Sequence, residues 1–252
     1  GVEILERLQH RGAEGGDKGT GDGAGIMIQT PDEFFRKVAA REGVVLPPPM
    51  EYATGMFFMP RDAKLRASCR KIVSEEIARE KLSALLWRDV PTNSACLGEL
   101  ARESMPMIVQ LFLGRGSSGI ADADAFERRL YVARRRIERR IVRIRGIGDS
   151  FYVPSLSPRT IVYKGLLLGS QIMDFYPDLR DPSFKSALAV VHQRYSTNTF
   201  PTWNLAHPFR YLAHNGEINT IRGNTNQMTA REKSFEHELL GKDIREILPV
   251  IQ

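Results

Sequence analysis

Apolar positions follow two rhythms along this chain, one of three to four residues and one of short unbroken runs. The first marks helices with a buried stripe and the second marks buried strands. Val2, Ile4, Leu5 and Leu8 predict a short opening helix, already under way at the first residue. Ile26 to Gln29 reads as a buried strand. Pro31 starts a helix whose inner face carries Phe34, Phe35, Val38 and Ala39. Pro47-Pro-Pro49 breaks the chain before a strand over Ala53–Met59. Leu65 to Leu86 is read as one helix with Leu65, Cys69, Ile72, Val73 and Ile77 on one face. Met107–Leu113 is a strand. Phe126, Leu130, Ala133, Ile137, Ile141 and Ile144 then mark a long amphipathic helix. Strands are predicted near 151–156, 160–167, 188–194 and 211–218, and a last helix from about Asn224 to Leu240.

Several of these strands follow one another with no helix between, and 151–167 has the look of a hairpin. That favours antiparallel or mixed sheets with helices packed outside, an α+β class, over a doubly wound parallel sheet. At 252 residues the chain can bury a full core in one large domain or two. It has no internal repeat.

Charge changes the picture at one place. The net charge is +6, and nine arginines between Arg128 and Arg145 crowd the amphipathic helix. Such a cluster could be a nucleic-acid patch. The apolar stripe running through it favours arginines on an outer face, solvated or turned to a subunit, so no nucleic-acid partner is expected. No apolar run approaches the ~20 residues of a membrane span, and no membrane partner is expected. Two cysteines argue against a disulfide framework and fit a reducing, cytoplasmic setting. Cys69 lies on the apolar face of a predicted helix, and neither it nor Cys96 pairs with a histidine in sequence, so both read as small hydrophobes.

Two segments invite chemistry. Gly12 to Gly25 is rich in glycine, but a helix precedes it and a strand follows. A dinucleotide loop needs the reverse order, so the bland reading is a tight loop. His192 to Asn224 concentrates polar residues at the end of the apolar run Ala187–Val191, where sites are usually built. His192, His207 and His214 fit no familiar zinc spacing and read as hydrogen-bonding residues, with no metal expected. Asn215-Gly216 alone is a common turn signal.

Together, His10-Arg-Gly-Ala13, Thr20-Gly-Asp-Gly-Ala-Gly25, Thr197-Asn-Thr-Phe-Pro-Thr-Trp203 and His214-Asn-Gly-Glu-Ile-Asn-Thr220 resemble the class II glutamine amidotransferases. The version they resemble is the one carried by the large subunit of glutamate synthase. Tyr163-Lys-Gly165 and Asp174-Phe-Tyr-Pro-Asp178 add to the likeness, which covers nearly the whole chain and is strongest over 10–31 and 192–232.

The resemblance implies a four-layer αββα sandwich of the N-terminal nucleophile hydrolase type, one incomplete domain over 1–252. It implies glutaminase chemistry through the thiol of an N-terminal cysteine. Arg11 and Gly12 would lie near that nucleophile; read without the resemblance they are a helix end with glycine just beyond it. Arg194 would hold the substrate carboxylate, since a guanidinium grips a carboxylate through two parallel hydrogen bonds, unless it serves only a structural ion pair. Asn215 and Gly216 would form the oxyanion hole. Thr197 and Trp203 fall in the substrate-covering loop, with Trp203 a candidate cap on a small pocket, and His214 and Glu217 would join the substrate site.

Three departures stand against the family pattern. The chain opens on Gly1, without the cysteine and its following strand, so the polypeptide as written is expected to be inactive. Tyr195 stands where phenylalanine is usual, and Gln227 where tryptophan is common. The chain also stops before a Ser-Asp-Ser element that would hold the substrate amine. By the resemblance, glutamine is the small-molecule partner and the downstream synthase region the macromolecular one. FMN and an iron–sulfur cluster are expected in that region, with a small subunit or ferredoxin as further partner. A non-catalytic module that binds glutamine or docks a partner is the alternative.

Overall fold

The structure is a computed structural model that describes residues 1–8, 10, 12–194, 200–211, 216 and 220–251. It has two antiparallel sheets. The larger runs β3 (Ser83–Asp89), β4 (Met107–Gly114), β2 (Tyr52–Met59) and β5 (Tyr152–Ser157). The smaller runs β6 (Thr160–Gly165), β1 (Ala24–Gln29) and β7 (Ala189–His192). The α+β class expected from the strand spacing holds.

The larger sheet is apolar on both faces, as a central layer must be. On β2 and β4, Ala53, Phe57, Met59, Val109, Leu111 and Leu113 share one core with Cys69, Val73 and Ile77 of α3 (Ala63–Arg79). Phe126, Leu130, Ala133 and Ile137 of α5 (Ala123–Ile141) complete it. The alternate residues Met56, Phe58, Ile108 and Phe112 join a second core with Ile26, Ile28, Ile161 and Tyr163 of the smaller sheet. Phe34 and Phe35 of α2 (Asp32–Arg41) enter the same core, Phe35 edge-on to Phe112 at 5.2 Å. Leu5 of α1 (Val2–Arg7) is also buried there.

A polar ring crosses this second core. Arg88 donates to both carboxylate oxygens of Asp178 at 2.7 Å and to Gln110 Oε1 at 2.7 Å. Gln110 Nε2 donates to the Tyr163 hydroxyl at 3.0 Å, and that hydroxyl donates to Asp178 at 3.1 Å. The ring binds β3 and β4 to β6 of the other sheet with all its members paired, which is what a buried charge requires.

Four expectations change. The helix read over Leu65–Leu86 ends at Arg79; Lys81 then takes a positive φ of 57° and turns the chain, so that Leu85 and Leu86 lie in β3. The hairpin over 151–167 does not form: β5 pairs with β2 and β6 with β1, so the chain crosses between sheets at 157–160. The Ser157 hydroxyl accepts from the amides of Arg159 and Thr160 and fixes that corner. The helix predicted from about Asn224 to Leu240 covers Ile221–Glu232 instead. Of the predicted strand at 211–218 only Tyr211 and Gly216 are described.

The arginines of α5 are the fourth change. Arg134, Arg135 and Arg136 are buried, not solvated. Arg135 donates to the carbonyls of Ile247 and Pro249, and Arg136 pairs with Glu80, Asp243 and Glu246. Arg139 donates to the Glu246 carbonyl at 2.6 Å. Arg135, Arg136 and Arg139 therefore form an internal dock for the short helix Ile244–Ile247 and its flanks. Charged side chains stay in an interior when carboxylates and carbonyls meet them, and these do.

Candidate functional site

The two motif-bearing segments meet through the smaller sheet. β1 pairs with β7 with Gly25 opposite His192, and continuing that register brings Asp22 and Gly23 alongside Arg194. Nε of Arg194 lies 3.5 Å from Oδ2 of Asp22. The guanidinium side chain is 41% exposed and the carboxylate 8%, so the pair has a buried end and an open end. Burial pushes the Asp22 carboxyl above its ordinary range, and the Ala13 backbone amide and then the charge of Arg194 oppose that. The backbone amide of Arg194 donates to Nδ1 of His192 at 3.3 Å, and the His192 ring stacks on His207 at 4.5 Å.

The glycines have a steric purpose here. Gly23 sits at a φ of +125° with Ala206 3.1 Å from where a β-carbon would be. A β-carbon at Gly25 would lie 2.6 Å from Lys164 Cβ and 2.7 Å from the His207 carbonyl oxygen. Only glycine lets the 202–207 segment lie flat on β1. The start of the glycine-rich stretch does a different job. Asp17 accepts from the Glu99 amide at 2.6 Å and Thr20 from the Ala101 amide at 3.2 Å, capping α4 (Glu99–Glu103).

The 202–207 segment is held from beneath by a buried lysine. Nζ of Lys164 donates to the carbonyls of Asn204 at 2.8 Å and Ala206 at 2.6 Å and lies 4.5 Å from the Tyr152 ring centre. Burial drives its pKa well below the ordinary lysine range. Trp203 anchors the same segment. It is 4% exposed, its ring meets Phe58 and Phe175, and Nε1 donates to the Ala101 carbonyl at 3.2 Å. Trp203 also walls a cavity of about 230 Å³ with Met59, Arg61, Glu103 and Asn204, which Arg194 does not line.

Gly12 is half-buried in the loop after α1 and Gly216 is exposed. Arg11, Thr197, His214, Asn215 and Glu217 lie outside the described residues. Asp22 and Lys164 are the polar residues that reading the sequence passed over. An acid set among glycines in Thr20–Gly25, and a lone lysine ending an apolar strand, were the available signals. Cys69 is fully buried and its thiol is pushed up to about 11 by burial, while Cys96 is raised for the same reason. Both are protonated and poor nucleophiles at neutral pH. Among the described residues no group of three or more His, Cys, Asp or Glu could hold a metal ion, and no helix is long and apolar enough to cross a membrane.

Comparison with known proteins identifies the family of the chain. The chain is 47% identical over 251 residues to the glutamate synthase [NADPH] large chain of Bacillus subtilis (strain 168), covering 100% of this chain and 16% of that protein. It is 46% identical over 255 residues to its namesake in Azospirillum brasilense, again 100% and 16% of the two chains. The chloroplastic ferredoxin-dependent glutamate synthase 2 of Arabidopsis thaliana is 39% identical over 243 residues, 96% of this chain and 15% of that one. The chain thus spans about a sixth of the relatives it matches. The family model for class-II glutamine amidotransferases matches residues 1–252, and the chain belongs to that family, which is of the N-terminal nucleophile hydrolase type.

Proposed function

We propose that residues 1–252 form the larger part of the glutaminase domain of a glutamate synthase. The observation that carries this reading is the placement of Arg194 beside the Asp22–Gly23 turn, at the open end of the smaller sheet, in a chain of this family. The nucleophilic cysteine belongs to residues preceding Gly1 and the amine-binding aspartate to residues following Gln252.

In this reading Arg194 captures the α-carboxylate of glutamine. The cysteine thiolate attacks the side-chain amide carbon, and the carbonyl oxygen becomes an oxyanion held by the Asn215 amide and the Gly216 backbone N–H. Collapse expels ammonia with a proton and leaves a γ-glutamyl thioester. Water then attacks the thioester and releases glutamate and the free thiol. Arg11 and Gly12 flank the nucleophile, and Thr197, His214 and Glu217 shape the substrate side, with Trp203 anchoring the 202–207 segment from the core. The ammonia passes to 2-oxoglutarate in the synthase region of the same polypeptide. That region would hold FMN and the iron–sulfur cluster and would meet a small subunit or ferredoxin, in the cytoplasm.

Two tests bear on this. The 252-residue polypeptide should release no ammonia from glutamine, while one extended upstream to begin with the encoded cysteine should. The thiol supplies the covalent route, and oxyanion donors alone retain only a residual rate. Activity in the shorter polypeptide would overturn the cysteine route, and none in a folded longer one would overturn the assignment and favour a binding module. In the active protein, Arg194→Lys should reduce kcat/KM for glutamine by about 1.5–3 kcal/mol, because lysine keeps the charge and loses the fork. A parental kcat/KM would leave Arg194 a structural residue only.

A further inference from the structure

We infer that Asp22 is a positioning residue for Arg194, holding the Nε edge of the guanidinium so that its two Nη groups are presented to the carboxylate of the ligand. The inference rests on the glutaminase reading and adds to it a residue that touches no substrate.

Three observations lead here. Among the described residues, neither carboxylate oxygen of Asp22 has a hydrogen-bond partner, although both are buried. Among the described residues Nε of Arg194, at 3.5 Å, is the one cationic nitrogen paired with it, and it too is buried without a hydrogen bond. A carboxylate so placed is costly to bury, and the nearby Ala13 backbone amide and the neighbouring guanidinium charge offset that cost. The distance is long for a charged hydrogen bond, so the pair contributes orientation and charge more than a lock.

The second observation is the rigidity of the mount. The Asp22 amide donates to the Ala13 carbonyl at 3.2 Å, Gly21 bridges to Glu14, and Gly23 lies against Ala206. Asp22 thus stands on backbone fixed on both sides, while Arg194 stands just beyond the end of a half-exposed edge strand. A mobile cation beside a fixed anion takes its direction from the anion, as partners behind a binding residue commonly direct it.

The third is the exposure gradient. Asp22 occupies the buried side of the guanidinium and leaves the 41% exposed side for a ligand. An ion pair serving stability alone gains nothing from this asymmetry. A guanidinium offers one Nε–H and four Nη–H donors, so a partner on the Nε edge still leaves a two-pronged face for a carboxylate.

The test uses the longer, active protein. Asp22→Asn keeps the shape and removes the charge. It should raise KM for glutamine so that kcat/KM falls about tenfold to a hundredfold, with kcat within about threefold of the parent. Combined with Arg194→Lys it should add nothing to the larger single effect, because both changes remove one function. An unchanged KM, or single effects that multiply in the double variant, would overturn the tether. If Asp22→Asn does not fold, Asp22→Ser carries the same test, and failure of both to fold would make Asp22 structural and overturn it too. An inactive parent removes the glutaminase reading and the tether with it, whereas an active parent whose Arg194→Lys variant keeps the parental KM makes Arg194 structural and removes the tether. An active parent sensitive at Arg194 and indifferent at Asp22 removes the tether alone.

Discussion

Replacing Asn215 by alanine in the cysteine-bearing protein is expected to lower kcat for glutamine hydrolysis by roughly 10²–10³-fold, the usual cost of one oxyanion donor. KM should change little, because the ground-state carbonyl is held less tightly than the oxyanion. The prediction comes from the motif His214–Thr220 and the family, since Asn215 lies outside the described residues. A simple Asn-Gly turn predicts the opposite pattern, lower thermal stability with near-normal kcat in the folded fraction. Measuring kcat and Tm on one preparation separates the two. A stable variant with kcat within about threefold of the parent would take Asn215 out of the site, far inside the loss expected of an oxyanion donor.

The largest stability effect is expected at Arg88. Arg88→Met leaves the Asp178 carboxylate, 5% exposed, facing Gln110 and Tyr163 with no cation. Breaking a buried pair from one side costs about 3–5 kcal/mol, because the stranded charge keeps its desolvation penalty. Urea denaturation should show this as a lower midpoint at unchanged slope. Replacing both partners, Arg88→Met with Asp178→Leu, should recover most of the loss, since well-packed apolar pairs of similar volume often match a buried ion pair. A single variant within about 1 kcal/mol of the parent would mean the ring carries little of the stability attributed to such pairs.

Much of the fold is legible in the sequence where one rhythm dominates. β2 and β4 are apolar on both faces, and their short unbroken runs sit between clear breaks. The stripe on α5 is equally plain. Legibility fails where local pattern and tertiary pairing disagree. Leu85 and Leu86 continue the apolar spacing of α3, and the positive φ at Lys81 leaves no mark on a lysine. The Ser157 corner reads as a hairpin because both flanks are strands; which sheet each joins depends on β1 and β2, far upstream in the chain. The buried arginines look solvated because their acceptors, Ile247, Pro249 and Glu246, lie far along the chain.

The site divides in the same way. Arg194 stands out by its motif, and its position beside the glycine-rich turn follows from the β1–β7 register. Asp22 and Lys164 do not stand out, because what marks them is burial without the usual partner, and burial is a property of the folded chain. The Thr20–Gly25 motif combines three tasks: Thr20 caps α4, the glycines admit the Trp203 segment, and Asp22 faces Arg194.

Covalent trapping tests the glutaminase assignment most directly. The protein carrying the N-terminal cysteine that the glutaminase reading requires would be treated with a glutamine-shaped electrophile and mapped by mass spectrometry. The expected result is one adduct on that cysteine, suppressed by glutamine and weakened by Arg194→Lys, with Cys69 and Cys96 unmodified, in keeping with thiols that burial holds in the protonated form. An adduct confined to Cys69 or Cys96, or a folded protein that forms none, would contradict it.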